Sequence, residues 1–314
     1  MKRRDFIKTT AGATTASFLP HFLSCATKAM PKRILGRTGE ELSMLGFGGV
    51  LVMDEEQNVA NEMVARAFDH GINYFDVAPS YGNAEDILGP AFEPYRKNCF
   101  FACKTTERSA AGAQRELEQS LTKLRTDHFD LYQLHAITTR EDVERAFAPD
   151  GAMETFLKAK QDGKIRYIGF SAHSETAALL AMQQYDFDTI LFPINFAAWY
   201  KGGFGPKVLE KAKETNKGIL ALKGLAHRRY NEGEERIYPK AWYVPIDKDN
   251  PELARKALSW TYAQGVTAAI PPGQPLFWDR AFQIATSLVD VNDDDIAQLR
   301  EEADRVEVPI FPET

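Results

Sequence analysis

Eight short apolar runs, separated by segments with helical periodicity, constrain the fold of this chain more than any other feature of its sequence. Several runs are continuously apolar, which is typical of parallel strands that are buried on both faces. The runs that we interpret as strands are residues 42–48, 72–76, 100–104, 131–135, 165–171, 190–195, 219–223 and 266–271. Eight strands that alternate with helices predict an α/β fold, a (β/α)8 TIM barrel, in a single domain.

The segments between these runs carry helix signals. In residues 112–125, GAQRELEQSLTKLR, the side chains of Leu117, Leu121 and Leu124 fall on one stripe. Ser174 is predicted to cap a helix that begins at the next residue. The alternative architecture is a doubly wound open sheet. Such a sheet usually opens on a G-x-G-x-x-G fingerprint, and residues 46–49 read GFGG instead.

The composition is that of an acidic globular protein. The 314 residues carry a net charge of -6, and no Lys/Arg cluster occurs outside the first eight residues. Because nucleic-acid binding depends mainly on neutralising phosphates, we expect no nucleic-acid partner. Residues 290–301 resemble a calcium loop, but Asp295 stands where the sharp turn needs glycine. We interpret this stretch as the capped start of a last helix, and we expect no metal.

The N-terminus resembles a twin-arginine export signal. Arg3 and Arg4 precede Phe6 and Lys8 and a Thr- and Ala-rich, mildly apolar stretch. We therefore predict a signal peptide at residues 1–26 that is recognised by the twin-arginine export machinery, with the barrel at 31–314. The protein is then expected to be periplasmic or otherwise exported. The polar residues of the stretch argue against a transmembrane span.

Two fates of this N-terminus remain open. Residues 24–26, SCA, have small residues at both ends of a small-x-small cleavage site, which would release a soluble protein that begins near Thr27. Residues 22–25, FLSC, also resemble a loose lipobox, which would make Cys25 a lipid anchor. In either case the net charge without residues 1–26 falls from -6 to -9, since they contain four basic residues and one acidic residue.

Polar side chains stand at the ends of three consecutive predicted strands. These are Asp76, Lys104 and His135, and Tyr81 follows in the loop after the first strand. Each alone has an ordinary structural explanation, such as a turn cap or a solvated strand end. In a barrel, however, the strand ends converge on one pocket, where buried charges require partners.

This grouping suits the reduction of a carbonyl. A tyrosine has a pKa near 10 and is a poor acid at neutral pH, and an adjacent ammonium is expected to lower that pKa. We predict Tyr81 as the general acid, Lys104 as the ammonium and Asp76 as the carboxylate that holds it. The imidazole of His135 would orient or polarise the carbonyl.

At these residues the sequence resembles the aldo-keto reductase family. The resemblance runs from residues 34–49 to residues 270–273. Its most specific segments are GINYFDVAPSYG (71–82), FFACKT (100–105) and SLTKLRTDHFDLYQLH (120–135). It implies a barrel reductase that uses a nicotinamide cofactor, in which the residues matching the four above form a catalytic tetrad with tyrosine as general acid.

The residues that the resemblance assigns to the cofactor are less completely retained. Ser171 matches the first member of a Ser-Asn pair, but Ala172 replaces the asparagine. Asn195 stands in place of a glutamine on the sixth strand. Leu222 and Lys223 occupy the position where the family often stacks an aromatic ring on the nicotinamide.

The resemblance leaves the type of nicotinamide nucleotide open. The phosphate-binding segment of the family corresponds to residues near Gly273, with Arg280 as the only nearby base. NADP(H) is the first expectation and NAD(H) the alternative. Within the long segment 226–251, Trp242 and Tyr243 either line the pocket or pack on the barrel.

The function expected from these observations is an exported NAD(P)(H)-dependent oxidoreductase that interconverts a carbonyl and an alcohol in a small molecule. The polar loops fit a hydroxylated, sugar-like substrate. One alternative is an epimerase or lyase that keeps its cofactor bound and recycles it internally, because free nicotinamide nucleotides should be scarce outside the cytoplasm. Another is a non-catalytic barrel that binds a cofactor or carbohydrate.

Overall fold

Eight parallel strands form one sheet, in which each strand pairs with the next strand of the barrel along the chain. The computed structural model of the protein describes residues 29–312. The predictions of a signal peptide at residues 1–26 and an anchor at Cys25 lie outside this part. The barrel strands are β1 (Phe47–Gly48), β2 (Tyr74–Asp76), β3 (Phe100–Thr105), β4 (Phe129–Ile137), β5 (Ile165–Ala172), β6 (Thr189–Pro193), β7 (Gly218–Leu222) and β8 (Ala268–Ile270).

Backbone hydrogen bonds join the two edges of this sheet. The amide of Gly46 donates to the carbonyl of Ala269 at 3.0 Å, and the amide of Ala269 donates to the carbonyl of Met44 at 2.8 Å. The residues before β1 therefore pair with β8 and close the barrel. With helices in the connections, this architecture confirms the predicted (β/α)8 fold.

The first predicted strand, residues 42–48, is divided in the structure. Glu41–Ser43 pairs antiparallel with Lys32–Ile34 in a hairpin that precedes the barrel. The hydroxyl of Ser43 donates to the carbonyl of Leu45 at 2.7 Å, between the hairpin and β1. The other seven barrel strands coincide with the predicted runs to within two residues at each end.

Helices cover the outside of the barrel. The α-helices of the described chain are Gln57–Asp69, Ala84–Phe92, Ala110–Lys123, Arg140–Phe147, Ala152–Gln161, Glu175–Gln184, Phe196–Tyr200, Pro206–Glu214, Pro251–Ala263, Pro275–Thr286 and Asp293–Arg305. Short 3-10 helices occur at Gly36–Thr38, Gly49–Val52 and Glu93–Asn98. Within the long segment after β7, Ala226–Arg228 pairs with Val244–Pro245.

Two of the predicted helix starts are confirmed by their capping bonds. The Ser174 side chain accepts a hydrogen bond from the amide of Ala177 at 3.3 Å. Asn292 accepts from the amide of Asp295 at 2.8 Å, so the acidic stretch near the C-terminus is the capped start of a helix, as predicted.

A small apolar cluster fills the inside of the barrel at the amino ends of the strands. Leu35 and Leu42 of the hairpin segment belong to it, together with Tyr74 and Phe100 at the starts of β2 and β3. Arg33 anchors the hairpin because its guanidinium donates to the carbonyls of Tyr262 and Val266 at 2.9 and 2.8 Å. The hairpin therefore covers the amino end of the barrel, and the carboxyl ends of the strands remain open.

Within residues 29–312, no helix is both long and apolar enough to cross a membrane.

Candidate active site

A cavity of about 330 Å³ lies at the carboxyl ends of the barrel strands. Its lining includes all four side chains of the predicted catalytic group: Asp76, Tyr81, Lys104 and His135. The strand pairing explains why they meet. Asp76 is aligned with Ala102 on β3, and Lys104 two residues later is aligned with Gln133 on β4. Side chains two residues apart on a strand share one face, which here is the inside of the barrel.

The floor of the cavity is a buried ion pair between Lys104 and Asp76. The two residues are 1% and 2% exposed, and the Lys104 ammonium donates to Oδ1 of Asp76 and to the carbonyl of Val77. The second carboxylate oxygen accepts from the Tyr74 hydroxyl and from Nε2 of Gln133, each at 3.3 Å. Burial has the largest effect on the pKa of Lys104 and lowers it, but the attraction and hydrogen bond of Asp76, together with the other neighbouring groups, outweigh burial, so the pKa lies above its ordinary value.

Tyr81 lies above this ion pair. The Lys104 ammonium is 5.0 Å from the centre of the phenol ring. Burial nevertheless raises the pKa of Tyr81 above its usual 10.0, Asp76 raises it further, and Lys104 offsets only part of this. The ammonium lowers the pKa of Tyr81, as predicted, but the net shift is upward, because the penalty that burial places on a phenolate exceeds the attraction of one ammonium.

The imidazole of His135 meets the phenol of Tyr81 edge to face, with ring centres 5.6 Å apart. Its Nδ1 lies 3.3 Å from the hydroxyl of Ser80. Burial, together with the positive charge of Lys104, holds the pKa of His135 well below its ordinary value. The ring is therefore neutral at physiological pH and can donate one hydrogen bond and accept another.

The backbone around His135 is held by contacts that the sequence does not reveal. The guanidinium of Arg108 donates to the His135 carbonyl at 2.7 Å. The next residue, Ala136, has a left-handed φ of 53°, and its amide donates to the hydroxyl of Ser171 at 2.8 Å. This irregular segment at the end of β4 fixes the direction of the imidazole. Such backbone strain is common at functional sites.

Four of the residues that the sequence assigned to the cofactor line the same cavity: Ser171, Leu222, Lys223 and Gly273. Ser171 accepts from the amide of Ala136, and among the described residues its own hydroxyl proton has no acceptor. Gly273 is required by packing, since a Cβ atom there would lie 2.4 Å from the side chain of Val50.

The structure does not bring Asn195 to the cavity. Its Oδ1 accepts from the amides of Ala197 and Ala198, and its Nδ2 donates to the carbonyls of Lys223 and Ala226. All four hydrogen-bonding positions of the amide are thus used to cap a helix and brace the loop after β7. The prediction that this amide holds the nicotinamide does not fit the geometry.

Arg280 is also outside the cavity lining. Its guanidinium donates to the backbone carbonyls of Asp247 and Lys248. The residue therefore braces the long segment after β7, and its predicted contact with cofactor phosphates stays a prediction.

His173 lines the cavity although the sequence did not single it out. Its Nε2 lies 3.2 Å from the Lys223 ammonium, and burial, with the charge of Lys223, lowers the pKa of His173 to about 3. Its place directly after the Ser-Ala pair at the end of β5 was the signal that could have indicated it.

Lys240 is a second lining residue that the sequence did not reveal. From the long segment after β7, its ammonium donates to Oε1 of Glu55 at 2.7 Å and to the carbonyl of Leu51 at 3.0 Å. These contacts link that segment to the chain just after β1. They cannot be read from the sequence, because the partners lie 185 and 189 residues apart.

Trp242 and Tyr243 both line the cavity. The Tyr243 side chain is buried, whereas Trp242 is 55% exposed, with its ring centre 6.2 Å from that of Tyr81. A large exposed aromatic ring beside a phenol forms a flat apolar wall at the mouth of the cavity.

This arrangement can place a proton on a carbonyl oxygen bound between the phenol of Tyr81 and the neutral imidazole of His135.

Among residues 29–312, no group of three or more His, Cys, Asp or Glu side chains is arranged to hold a metal ion.

Known proteins share both the sequence pattern and the fold. The profile of the Aldo/keto reductase family matches residues 44–272, well over half of the chain. The uncharacterized oxidoreductase YqkF of Bacillus subtilis is 34% identical over 157 residues, which cover 46% of this chain and 49% of that protein. L-galactose dehydrogenase of Arabidopsis thaliana is 31% identical over 157 residues, which cover 44% and 47%. The chain thus spans about half the length of these curated relatives.

Solved structures match over most of the chain. A Pseudomonas aeruginosa protein assigned to the aldo-keto reductases has a TM-score of 0.66 and 27% identity, covering 83% of this chain and 96% of that one. An aldo-keto reductase from Bacillus halodurans has a TM-score of 0.67 and 22% identity, covering 90% and 99%. At the latter identity the likeness concerns the fold alone.

We predict that Asp76→Asn lowers the free energy of unfolding by about 3–5 kcal/mol, because it leaves the Lys104 ammonium buried without its counter-charge. Urea denaturation followed by circular dichroism measures the loss. The control is Asp162→Asn, which breaks a partly exposed pair with Lys158 and should cost less than about 1 kcal/mol. Equal losses in the two variants would contradict the importance of the buried pair.

Proposed function

The chain belongs to the aldo/keto reductase family. From this premise we propose that it is an NAD(P)(H)-dependent oxidoreductase that interconverts a carbonyl and an alcohol. In this proposal Tyr81 is the general acid and base. The observation that carries it is the convergence of Tyr81, His135 and the Asp76–Lys104 ion pair in one cavity.

Each residue of the tetrad has a distinct task in the reduction. The bound nucleotide, when reduced, supplies the hydride that the carbonyl carbon accepts. Tyr81 donates its proton to the carbonyl oxygen, and the Lys104 ammonium stabilises the phenolate that this leaves. Asp76 keeps the ammonium in place. In the oxidation of an alcohol, the phenolate of Tyr81 accepts the proton.

His135 orients the carbonyl in this proposal. When the hydroxyl of Ser80 donates to Nδ1 of the neutral ring, Nε2 carries the proton and can donate to the carbonyl oxygen. The oxygen would then accept one hydrogen bond from the imidazole and one from the phenol of Tyr81. Because the imidazole is neutral, His135 can hold the carbonyl oxygen against Tyr81 without adding a second positive charge beside Lys104.

The lining residues fit a nicotinamide in part. Ser171 offers a hydroxyl proton to the carboxamide, and Leu222 and Ile270 offer an apolar wall to the ring. The amide of Asn195 is committed elsewhere, and Ala172 has none, so the carboxamide would be held less firmly. NADP(H) remains the first choice through the family resemblance. NAD(H) is close behind because the Arg280 guanidinium is already bonded to backbone carbonyls.

We further propose that the protein is exported with its nucleotide already bound. The twin-arginine pattern in residues 1–26 is the reason to propose export. The exported protein is either released by cleavage or anchored to a membrane by a lipid on Cys25. The link from Lys240 to Glu55 and Leu51 supports retention, because it ties the segment after β7 across the cavity wall to the chain after β1. A retained nucleotide favours, as the second candidate, an epimerase or lyase that oxidises and re-reduces its substrate.

A hydroxylated, sugar-like compound is the proposed substrate. The exposed ring of Trp242 at the cavity mouth can stack on the apolar face of a sugar ring. L-galactose dehydrogenase among the relatives points in the same direction. A barrel that only binds its ligand would have no use for a paired ammonium below a phenol, so a non-catalytic role is less well supported.

We predict that Tyr81→Phe retains its fold and loses roughly 100-fold or more in kcat for carbonyl reduction, because the proton donor is removed. Nicotinamide absorbance measures turnover, and circular dichroism verifies the fold. Tyr185→Phe is the matched control, since Tyr185 packs against Phe187 outside the cavity. Wild-type activity in the Tyr81 variant would exclude this residue as the acid.

The pH dependence follows from the raised pKa of Tyr81. Reduction needs the protonated phenol, so kcat for the chemical step should be constant from about pH 6.5 to 9 and fall only above about pH 10. His135 adds no step in this range, because its pKa is lowered well below its usual value. Single-turnover measurements across this range test the profile. A decline centred between about pH 7 and 8 is incompatible with a phenol whose pKa is raised.

Lys240→Gln should release the bound nucleotide roughly five- to tenfold faster, because it removes one partly buried ion pair of the link. Nucleotide released from denatured, purified protein is first identified by mass spectrometry, and its displacement rate is then followed by fluorescence. Lys248→Gln is the control, since Lys248 is exposed and pairs with the adjacent Asp249. Wild-type protein that contains no nucleotide would refute the proposed retention.

A further inference from the structure

A second cavity, of about 320 Å³, adjoins the catalytic one. The two cavities share His173, Lys223, Trp242 and Tyr243, so a ligand can extend from one into the other. None of residues 270–273 lines the second cavity. The predicted segment that binds the cofactor phosphates begins at these residues, so the second cavity is separate from it. We call this second cavity the annex.

The charge of the annex is opposite to that of the whole chain. Its lining contains three cations, Lys223, Arg229 and Arg236, and no Asp or Glu among the described residues. His173 adds no charge, since its pKa is about 3. The chain as a whole has a net charge of -6. A positive cavity in an acidic protein attracts anions and selects against neutral ligands of the same shape.

The two guanidiniums of the annex are not neutralised by nearby carboxylates. Among residues 29–312, neither Arg229 nor Arg236 has a carboxylate oxygen within 4.0 Å. By contrast, the neighbouring Arg228 is fully engaged with both carboxylate oxygens of Glu234, at 2.7 and 2.8 Å. Glu234 therefore compensates Arg228, and no carboxylate of the described residues compensates Arg229 or Arg236.

The described contacts of the two guanidiniums, Arg229 and Arg236, leave room for an anion. Arg229 donates to the carbonyls of Ile310 and Pro312 near the C-terminus. Arg236 is exposed and stacks on the ring of Tyr230, with 5.7 Å between its guanidinium carbon and the ring centre. A guanidinium stacked on an aromatic ring keeps its N–H donors at the edge, where a carboxylate can accept two of them.

We propose that the annex binds a carboxylate of the substrate, so that the enzyme acts on an aldehyde or ketone that also carries a carboxylate group. The reacting carbonyl lies at Tyr81 and His135, and the carboxylate lies at Arg236 with Lys223 and Arg229. This rests on the proposed function, since it names the substrate class of that site. A phosphate of the nucleotide has similar chemistry, and the experiment separates the two sources of negative charge.

The test compares two aldehydes that differ by one charge, 4-carboxybenzaldehyde and methyl 4-formylbenzoate, with the full chain and excess NADPH or NADH. We expect kcat/KM of the wild type to be about tenfold higher for the carboxylate. Arg236→Gln should remove this preference by raising KM for the carboxylate, whereas kcat/KM for the ester should change less than twofold. Arg236→Lys should restore most of it, and Arg140→Gln, an exposed arginine paired with Glu144 on a distant helix, should change neither rate.

Three results would overturn the proposal. One is an equal loss on both aldehydes in Arg236→Gln, and another is no loss on either. The third is a weaker Kd of Arg236→Gln for NADPH without a change for NADH, measured by fluorescence titration, which would assign the annex to the cofactor's 2′-phosphate.

A binding measurement keeps the annex testable even if neither aldehyde is turned over. Benzoate should quench the fluorescence of Trp242, which lines both cavities, whereas neutral benzamide should not. The same titration of Trp242→Phe shows whether the quenched fluorescence comes from Trp242. Benzoate binding that is lost in Arg236→Gln without turnover would uphold the annex and count against the proposed reductase function. Equal binding of benzoate and benzamide would refute the annex.

Discussion

The buried ion pair between Asp76 and Lys104 determines the rest of the site. Two charges that are almost fully enclosed are tolerated only because each meets the other and further hydrogen-bond partners, the carbonyl of Val77 and the side chains of Tyr74 and Gln133. The pair and these partners lie on three adjacent strands, β2, β3 and β4, or directly after one of them, so the pair exists only when the barrel is closed and in register. The phenol ring of Tyr81 lies next to this pair, with its centre 5.0 Å from the ammonium.

One segment, between β7 and the helix Pro251–Ala263, contributes most of the further side chains that line and close the two cavities. Lys240 ties it to the chain after β1, Trp242 and Tyr243 form walls of the catalytic cavity, and Arg229 and Arg236 make the annex positive. The strands thus supply the reacting groups, and a single long loop supplies closure, apolar surface and charge. This division is common in barrels, where the scaffold can stay constant while loops change the substrate.

The parts that could be predicted from the sequence are those with a local signal. Apolar runs indicated the eight strands, and polar residues at strand ends indicated Asp76, Lys104 and His135 as neighbours. The helix-capping role of Asn195 and the contact of Lys240 with Glu55 depend on residues distant in the sequence, which no local pattern encodes. The lowering effect of Lys104 on the pKa of Tyr81 could be predicted, but the net rise could not, because its largest cause, burial, is a property of the assembled barrel.

Tyr81 is available as the acid only if its partly buried phenol remains protonated beside the Lys104 ammonium. Direct titration of its phenol by NMR, with tyrosine labelled at 13Cζ and the signal assigned through Tyr81→Phe, tests this claim without any substrate. Because burial raises the pKa of Tyr81, the midpoint of this titration should lie above about pH 10. A titration midpoint below about pH 8 would contradict it, because the ammonium of Lys104 would then outweigh burial.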